Sequence, residues 1–366
     1  MTSRWGSAAR ASGRARWSVA LAVLGMSAAV ALAGCGSSAG ATGSGANGPV
    51  RAMVSGGGCC ETPNQFMFKD VFAQKDVGLN VDWGPITSGG STVLGLALSG
   101  KEDVVQVSAQ AVLAAVAAHQ PAVVIASVEQ GTYIGFSVTK QVADKLAGEG
   151  ITPRSPLKQR IQALKGLSIW ANNPGARDVN DNKMFIDNGV SPKDVKYQYG
   201  SDSAGSAAWK SGNVQVYECC DPSVFQMRPD AVAWIKPGEV PELMADVHLV
   251  WATTQSYAQA HPDVIKNLIK GMNATTTMLA TAKPGTPARQ SVLSMIDKED
   301  PGESPADIQS SFNENWANHV TILNPIDCKT MATTIADYNA GQPASGAKVT
   351  ATPQQVVASG ALKNDC

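Results

Sequence analysis

Residues 102–129, EDVVQVSAQAVLAAVAAHQPAVVIASVE, contain the pattern that decides the fold class. EDVVQVS is typical of a buried strand, AQAVLAAVAAHQ of a helix rich in small apolar residues, and AVVIASVE of a second buried strand. A strand, a helix and another strand in succession form a βαβ unit, in which the two strands are parallel and helices cover the sheet. The stretch therefore predicts an α/β fold.

The alternation of strands and helices continues on both sides of this stretch. On the N-terminal side, VRAMVSGG and GLNVDWGPI have the pattern of strands, and ETPNQFMFKDVFAQKDV and GSTVLGLALSG have that of helices. On the C-terminal side, the polar and proline-containing TPRSPLKQRIQAL precedes a second series, made of GLSIWANNPGARDVNDNKMFIDNGV, DVKYQYGSDSAGSAAWKSG and NVQVYECCDP. The last third of the chain has a helical pattern. The sequence thus predicts two α/β units in tandem with mostly parallel sheets.

The N-terminus has the features of an export signal. Four arginines precede the apolar stretch WSVALAVLGMSAAVALA, and no acidic residue occurs before Cys35. LAGC, residues 32–35, resembles the bacterial lipobox, in which cleavage precedes a cysteine whose thiol carries lipid such as palmitate. We therefore predict a lipoprotein signal peptide over residues 1–34 and lipidation of Cys35. An ordinary signal peptide or an uncleaved anchor is the alternative, and either places the body of the protein outside the cytoplasm.

The segment after the predicted cleavage site is poor in large side chains. Residues 35–50 are rich in glycine, serine and alanine, so we predict a flexible tether. Without residues 1–34, which contain four arginines and no acid, the chain has 25 basic and 30 acidic residues. This mildly acidic balance, with no basic run, excludes nucleic acid as an expected partner. The remaining length is sufficient for two hydrophobic cores.

Several motifs in a defined order resemble one family. VRAMV, GLNVDW, ALSGKEDV, LKGLSIWANNPGA, IDNGVSPKDVKYQY, AAWKSGNVQVYECCDP and HPDVIKNLIKGM are similar to the solute-binding proteins of nitrate, sulfonate, taurine and thiamine-pyrimidine uptake systems. The resemblance implies the type II periplasmic-binding-protein fold, in which two α/β lobes, joined by two crossings, hold a ligand in the cleft between them. It places lobe 1 at residues 51–140 plus 250–366 and lobe 2 at residues 141–249.

The resemblance also implies a role. It predicts an extracytoplasmic lipoprotein, anchored to the cell membrane through lipid on Cys35, that is a monomer and not an enzyme and needs no cofactor. Such a protein captures a small solute by closure of its lobes and delivers it to an ABC permease and its ATPase. The alternative is an exported protein that binds thiols or metals, or a thiol-dependent enzyme, and it rests on two cysteine doublets described below.

Ligands of open α/β sheets bind beyond the carboxyl ends of the strands, so the strand ends give the candidate ligand-binding residues. ANNPGARDVN, residues 171–180, is the most informative, because its turn leads into a helix start whose free backbone N–H groups favour an anion or an acceptor oxygen. A simple cap at Asn173 and a solvated Arg177 are the alternative. The predicted ligand-binding set is Gly58, Cys59, Cys60, Ser108, Tyr133, Asn172, Asn173, Gly175, Arg177, Cys219, Cys220 and Asp221.

Two aromatic residues near the predicted crossings have two interpretations. Tyr133 and Trp251 could stack on a ligand or pack in the core. The four histidines are scattered, with no spacing typical of a metal site or a catalytic triad. We therefore predict no metal ion and no catalytic residue.

The cysteines are the least conventional feature of the sequence. With Cys35 lipidated, six remain, and an even number outside the cytoplasm favours three disulfides. Cys328 and Cys366 both lie in the C-terminal segment, and we predict a bond between them that fixes the tail.

The doublets Cys59–Cys60 and Cys219–Cys220 leave several pairings open. Vicinal disulfides are geometrically tight, because adjacent α-carbons are about 3.8 Å apart and disulfides favour about 4.4 to 6.8 Å. Bonds between the doublets, a soft-metal or thiol-reactive site and free thiols are the other possibilities. Vicinal disulfides, which we favour, would present two flat, sulfur-rich surfaces to the ligand. This arrangement suits an organic solute, anionic or heteroaromatic, better than a bare inorganic ion.

Overall fold

The computed structural model describes residues 48–55, 77–85, 89–131, 135–171, 176–200, 202–219, 230–236, 238–240, 244–299 and 324–366. The predicted signal peptide, Cys35 and most of the predicted tether lie outside these ranges. In the described part of the chain, no helix is long and apolar enough to cross a membrane.

The chain forms two sheets, and it enters the first one twice. We call the first sheet with its helices lobe 1 and the second sheet with its helices lobe 2. The first passage through lobe 1 consists of β1 Val50–Val54, β2 Val81–Trp83, α1 Gly90–Leu98, β3 Val104–Ser108, α2 Ala109–Ala117 and β4 Ala122–Gln130.

Lobe 2 is formed by one continuous segment. It consists of β5 Gly135–Thr139, α3 Lys140–Gly148, α4 Leu157–Gln162, β6 Ser168–Ala171, α5 Ala176–Asp187, β7 Lys196–Tyr199, α6 Asp202–Lys210, β8 Val216–Cys219 and β9 Ala231–Ile235. The chain then returns to lobe 1 through β10 Val247–Thr254, α7 Gln255–Ala260, α8 Pro262–Thr281, α9 Pro287–Glu299, α10 Cys328–Gly341 and α11 Pro353–Val356.

Each sheet has five strands. The order in lobe 1 is β2-β1-β3-β10-β4, and the order in lobe 2 is β7-β6-β8-β5-β9. Strand β1 is parallel to β2 and β3, and β6 is parallel to β7 and β8. One strand in each sheet runs against these neighbours: β10 is antiparallel to β3 and β4, and β5 is antiparallel to β8 and β9. These two strands are the first that the chain enters after passing from one lobe to the other.

Strands β4 and β10 of lobe 1 are buried on both faces, which explains their continuous apolar sequences. Eight of the nine residues of β4 and seven of the eight residues of β10 are buried. Lobe 2 has a separate core with more aromatic residues, in which the rings of Phe136 and Phe185 lie 6.3 Å apart, as do those of Trp209 and Tyr217. Two cores in one chain agree with the two tandem α/β units predicted from the sequence.

The passages between the sheets lie earlier in the chain than the predicted lobe boundaries. Strand β5 begins at Gly135 and belongs to the second sheet, so the predicted boundary at residue 140 is too late. Strand β10 begins at Val247 and belongs to the first sheet, so the boundary at residue 249 is also too late. Both errors arise because a buried apolar strand carries no sequence signal for the sheet that it joins.

The C-terminal segment covers the outer edge of β4. The side chain of Asn324 bonds to both backbone groups of Ser127, its Oδ1 accepting from N at 2.8 Å and its Nδ2 donating to O at 2.7 Å. The amide of Ala358 donates to the carbonyl of Val124 at 2.8 Å. Cys328 and Cys366 form a disulfide with their α-carbons 5.3 Å apart, as the sequence predicted. The edge strand is thereby protected from pairing with another chain.

Candidate functional site

In each lobe, the carboxyl ends of the parallel strands lie at the same end of the sheet, and we call this end the edge of the lobe. In lobe 1, Ser108 ends β3 and caps α2, because its hydroxyl accepts a hydrogen bond from the amide of Ala111 at 3.2 Å. In lobe 2, β6 ends at Ala171, and α5 begins five residues later at Ala176. Helices α2 and α5 thus both begin at the edges where ligands of α/β sheets bind.

These two edges are in contact. Gln110, in the first turn of α2, donates from Nε2 to Oδ1 of Asn180 in α5 at 3.1 Å. Both residues are buried: only 2% of the surface of Gln110 and 3% of the surface of Asn180 is exposed. The hydrogen bond therefore joins lobe 1 to lobe 2 in an environment that water does not enter.

Helix α5 packs into both cores. Its residue Val179 belongs to the apolar cluster of lobe 1, whereas Met184 and Phe185 belong to that of lobe 2. Its partner in lobe 1 is α10. At Gly341, the last residue of α10, an added Cβ would lie 2.0 Å from the carbonyl oxygen of Val179, so the two backbones touch there. Asn182 donates from Nδ2 to the carbonyl of Gly341 at 3.4 Å.

A charged cluster lies one turn further along the same helix pair. The ammonium of Lys183 in α5 is 2.5 Å from Oδ2 of Asp187 and 3.5 Å from Oδ1 of Asp337 in α10. Burial lowers the pKa of Lys183, but the hydrogen bond to Asp187 and the charges of both aspartates outweigh it and raise the pKa above its ordinary value. Lys183 therefore stays charged and attracts a carboxylate from each lobe.

The buried carboxyl of Asp246 adjoins this cluster. Burial, and then the neighbouring carboxyl of Asp337, raise the pKa of Asp246 to about 8, against the opposing charge of Lys183. Two carboxyl groups hydrogen-bond to each other only when one of them holds a proton. At neutral pH, Asp246 is therefore mainly protonated.

Asp246 also lies where the chain passes between the lobes. Its carbonyl accepts a hydrogen bond from the amide of Gly131 at 2.7 Å, and Nε2 of Gln130 donates to the carbonyl of Ala245 at 3.1 Å. Gly131 has a positive φ of 79°, which favours glycine. The described ends of the two crossings, residues 130–131 and 245–246, thus lie side by side, as a hinge requires.

Lobe 1 buries a second carboxyl group near the end of β4. Glu129 is fully buried, burial raises its pKa well above the ordinary value, and Nε2 of His248 lies 3.7 Å from its Oε1. Among the described residues, neither carboxyl oxygen of Glu129 has a hydrogen-bond partner. Trp251 is 1% exposed and its ring centroid lies 6.1 Å from that of Trp83. Of the two interpretations of Trp251, core packing is the one that the structure supports.

Aromatic residues line the carboxyl ends of β6 and β7 in lobe 2. Trp170 packs so closely on α6 that an added Cβ at Gly205 would lie 2.3 Å from its indole nitrogen. Tyr197 donates from its hydroxyl to Asp181 at 2.6 Å, and its ring stacks on that of Tyr199 with centroids 5.7 Å apart. A cavity of about 760 Å³ also lies on lobe 2, but it is lined by residues from the opposite edge of the sheet, such as Leu167 and Val214.

Comparison with known proteins reveals similarity in structure only. No protein-family model matches the chain, and no curated protein matches it. The alkanesulfonate-binding protein SsuA from Xanthomonas axonopodis pv. citri, solved bound to MOPS, is 14% identical with a TM-score of 0.62, over 86% of this chain and 98% of that one. The periplasmic aliphatic sulphonate binding protein SsuA from Escherichia coli is 15% identical with a TM-score of 0.60, over 79% and 85%. The periplasmic nitrate-binding protein NrtA from Synechocystis PCC 6803 is 12% identical with a TM-score of 0.56, over 81% and 82%.

The chain has the periplasmic-binding-protein fold. This confirms the fold class predicted from the sequence, and the similar structures include the sulfonate- and nitrate-binding proteins that the sequence motifs resemble.

The structure locates three of the predicted ligand-binding residues within this periplasmic-binding fold. Ser108 caps α2 at the edge of lobe 1, Arg177 lies in the first turn of α5, and Cys219 ends β8. The other predicted residues lie outside the described ranges: Gly58, Cys59, Cys60, Tyr133, Asn172, Asn173, Gly175, Cys220 and Asp221.

The sequence points to Gln110, the neighbour of Ser108, as a candidate at the strand end of lobe 1. It does not indicate the other residues that join the lobes: Asn180, Lys183, Asp246, Asp337 and Gly341. One signal was present in α5, where Val179, Asn180 and Lys183 follow the spacing of a single helix face, while Met184 and Phe185 occupy another. A helix with two buried faces packs against two layers.

Proposed function

We propose that the protein is an extracytoplasmic solute-binding lipoprotein of an ABC importer, which captures a small organic solute between its lobes. The observation that carries this proposal is the architecture of two α/β lobes joined by two adjacent crossings. The starts of α2 and α5 lie at the cleft edges, where ligands of such sheets bind. Two edges on either side of a hinge suit the enclosure of a small molecule.

The solute that we propose is anionic or heteroaromatic. The start of α5 offers backbone N–H groups, and Arg177 in its first turn offers a positive charge. The proteins of similar structure are named for sulfonates and nitrate, which are anions. The cysteine doublets favour an organic solute over nitrate, because vicinal disulfides would present flat apolar surfaces.

The proposed mechanism is a population shift and not a reaction. Solute contacts to both lobes favour the closed form, which a permease with its ATPase recognises. The protein acts as a monomer, without a cofactor, and lipid on Cys35 holds it at the extracytoplasmic face of the cell membrane. These finer points rest on the sequence and on the likeness in fold.

Native mass spectrometry of the protein purified from its own cells tests the proposal directly. We expect a small molecule that co-purifies and dissociates on unfolding. A thermal-shift screen against sulfonates, pyrimidines, aromatic acids and nitrate then identifies its class. Stabilisation by nitrate alone would contradict an organic solute, and the absence of both a bound molecule and any stabilising compound would contradict solute binding.

A pair of variants tests the contribution of positive charge at α5. Arg177→Gln is expected to weaken binding of an anionic solute at least tenfold, because charge-assisted hydrogen bonds to a carboxylate or sulfonate are lost. Arg154→Gln removes the same charge from an exposed position in lobe 2 and is expected to leave binding unchanged. Equal effects of the two variants, measured by isothermal titration calorimetry, would remove Arg177 from the site.

The thiol or metal alternative is tested by the cysteines themselves. Mass spectrometry of the unreduced protein is expected to find three disulfides and no metal. Six titratable thiols, or bound copper or zinc, would favour the exported thiol or metal protein instead. Among the described residues, no cluster of three or more metal-ligating side chains is present.

A further inference from the structure

We propose that the antiparallel helix pair α5–α10 is an interlobe latch, which holds the two lobes together and so sets the apparent affinity for a solute through the closed form. The latch consists of the backbone contact of Val179 with Gly341 and the ionic contact of Lys183 with Asp337. The Gln110–Asn180 hydrogen bond, between α2 and α5, reinforces it. The proposal rests on the proposed function, because a latch affects affinity only where the lobes close on a solute.

The two helices of the pair pack with their backbones in direct contact. Val179 lies against Gly341, and Lys183, four residues later, lies against Asp337, four residues earlier, so the helices run antiparallel. Gly341 is not among the residues with positive φ, so the backbone of α10 alone does not require glycine. What requires it is the oxygen of Val179, since an added Cβ would lie 2.0 Å away, where ordinary contact begins at 3.4 Å. A residue of lobe 2 thus explains why this position of lobe 1 is glycine, as expected where the two lobes are in close contact.

The polar contacts of the latch are shielded from solvent. The side chains of Lys183 and Asp337 are only 13% and 16% exposed. Salt therefore screens this pair less than a pair on the open surface. Gln110 donates one hydrogen bond to Asn180 from lobe 1 to lobe 2, and separation of the lobes would break this bond. Each contact thus favours the closed arrangement over a separated one.

The latch includes a group that titrates near neutral pH. Asp246, at the hinge, is faced by Asp337 of α10 and by Lys183 of α5, and Lys183 is faced in turn by Asp187 of its own helix. From β4, the hinge contributes backbone groups and the amide of Gln130. The nearby His248 faces Glu129 and not this cluster.

The direction of the pH effect follows from burial. The pKa of Asp246 is about 8 in the arrangement that the structure shows, in which the lobes are in contact. We expect it to fall toward the ordinary value of 3.8 when separation of the lobes admits water. The closed form then binds a proton that the open form has lost. The latch is therefore strongest below the open-form pKa, weakens as the pH rises between the two values, and reaches its weakest state above about pH 8.

Distance measurement between the lobes in solute-free protein tests the latch. Spin labels on non-cysteine unnatural residues at the exposed positions 101 in lobe 1 and 210 in lobe 2 leave the native cysteines intact. Gly341→Ala is expected at least to double the population at the longer distance. Gly95→Ala is the matched control, because an added Cβ in α1 meets nothing within 4 Å. Its distance distribution should equal that of the wild type.

A second pair of variants keeps the test independent of folding in α10. Lys183→Met removes the ionic contact with Asp337 and is expected to open the lobes. Its control is Lys165→Met, which removes an ion pair within lobe 2, between Lys165 and Asp194 at 2.9 Å, and is expected to leave the distance distribution unchanged. The latch is refuted when Gly341→Ala and Lys183→Met both show the wild-type distribution. When Gly341→Ala fails to fold, the comparison of Lys183→Met with Lys165→Met decides alone.

The pH series separates a latch from a merely structural contact. Between pH values of about 6 and 8, the closed-to-open ratio of the wild type is expected to fall by up to about tenfold per pH unit. Asp246→Asn, which keeps the neutral hydrogen-bonding form, should abolish this fall, and a fall that persists in this variant would overturn the role of Asp246. Because all distances are measured without solute, failure of the solute screen would reject the proposed function and leave these outcomes intact.

Discussion

Loss of the disulfide between Cys328 and Cys366 is expected to destabilise the protein strongly. The bond closes a loop with a sequence separation of 38 residues. The loop-closure entropy for this length corresponds to about 4 kcal/mol at 25 °C when the unfolded chain is freed from the bond. Replacement of both cysteines by serine should therefore lower the free energy of unfolding by about this amount. An entropy of unfolding of about 2.1 cal/mol/K per residue converts this loss to a melting temperature lower by about 6 °C.

The assay is urea unfolding of the double variant, followed by tryptophan fluorescence without reductant. Reductant is avoided because it would also break any bond made by the cysteine doublets. The local contacts of the segment, such as the 3.0 Å hydrogen bond from the amide of Cys328 to Asp365, remain possible in the variant. A loss of less than about 1 kcal/mol would refute the entropic reasoning and indicate that the tail unfolds separately from the rest of lobe 1.

Three further predictions concern packing, charge and anchoring. Gly205→Ala should lower the free energy of unfolding by about 1–3 kcal/mol, because the added Cβ would lie 2.3 Å from the indole nitrogen of Trp170; Gly95→Ala, measured by the same urea unfolding, should have no such effect. Burial raises the pKa of Glu129 well above its ordinary 4.5, so the folded protein keeps a proton that the unfolded chain loses, and stability should fall as the pH rises above that value. Glu129→Gln should reduce this fall in urea titrations at several pH values, and Asp246, whose pKa is also raised, should account for a remaining fall; an unchanged pH profile would contradict the assignment. Cys35→Ser should release the protein from membranes into the soluble fraction, and continued membrane association on immunoblots would indicate an uncleaved anchor.

The sequence of residues 102–129 predicts its structure closely. The observed elements β3, α2 and β4 follow in the predicted order, because valine-rich runs buried on both faces have a distinct pattern. The antiparallel strand between β3 and β4 was not part of this prediction. The apolar sequence of β10 indicates burial, but its antiparallel position between β3 and β4 depends on where the chain returns from lobe 2.

The interlobe contacts were not predictable for a related reason. Lys183, Asp246 and Asp337 are separated by more than sixty residues at each step, and each alone has the sequence pattern of a surface charge. Only the tertiary arrangement brings them together. The bond between Cys328 and Cys366 was predictable, because these cysteines were the pair left after the two doublets were set aside.

The two crossings also determine the order in which the lobes can be completed. Lobe 2 lies within one uninterrupted segment between β4 and β10, so all of its described strands are available once that segment has been synthesised. Lobe 1 receives β10, which separates β3 from β4 in its sheet, only after lobe 2 has emerged. Until then β3 and β4 have unpaired edges that are open to other chains. As the chain emerges from its N-terminus, lobe 2 is therefore the part of the molecule that can be completed first, and lobe 1 is the part that is completed last.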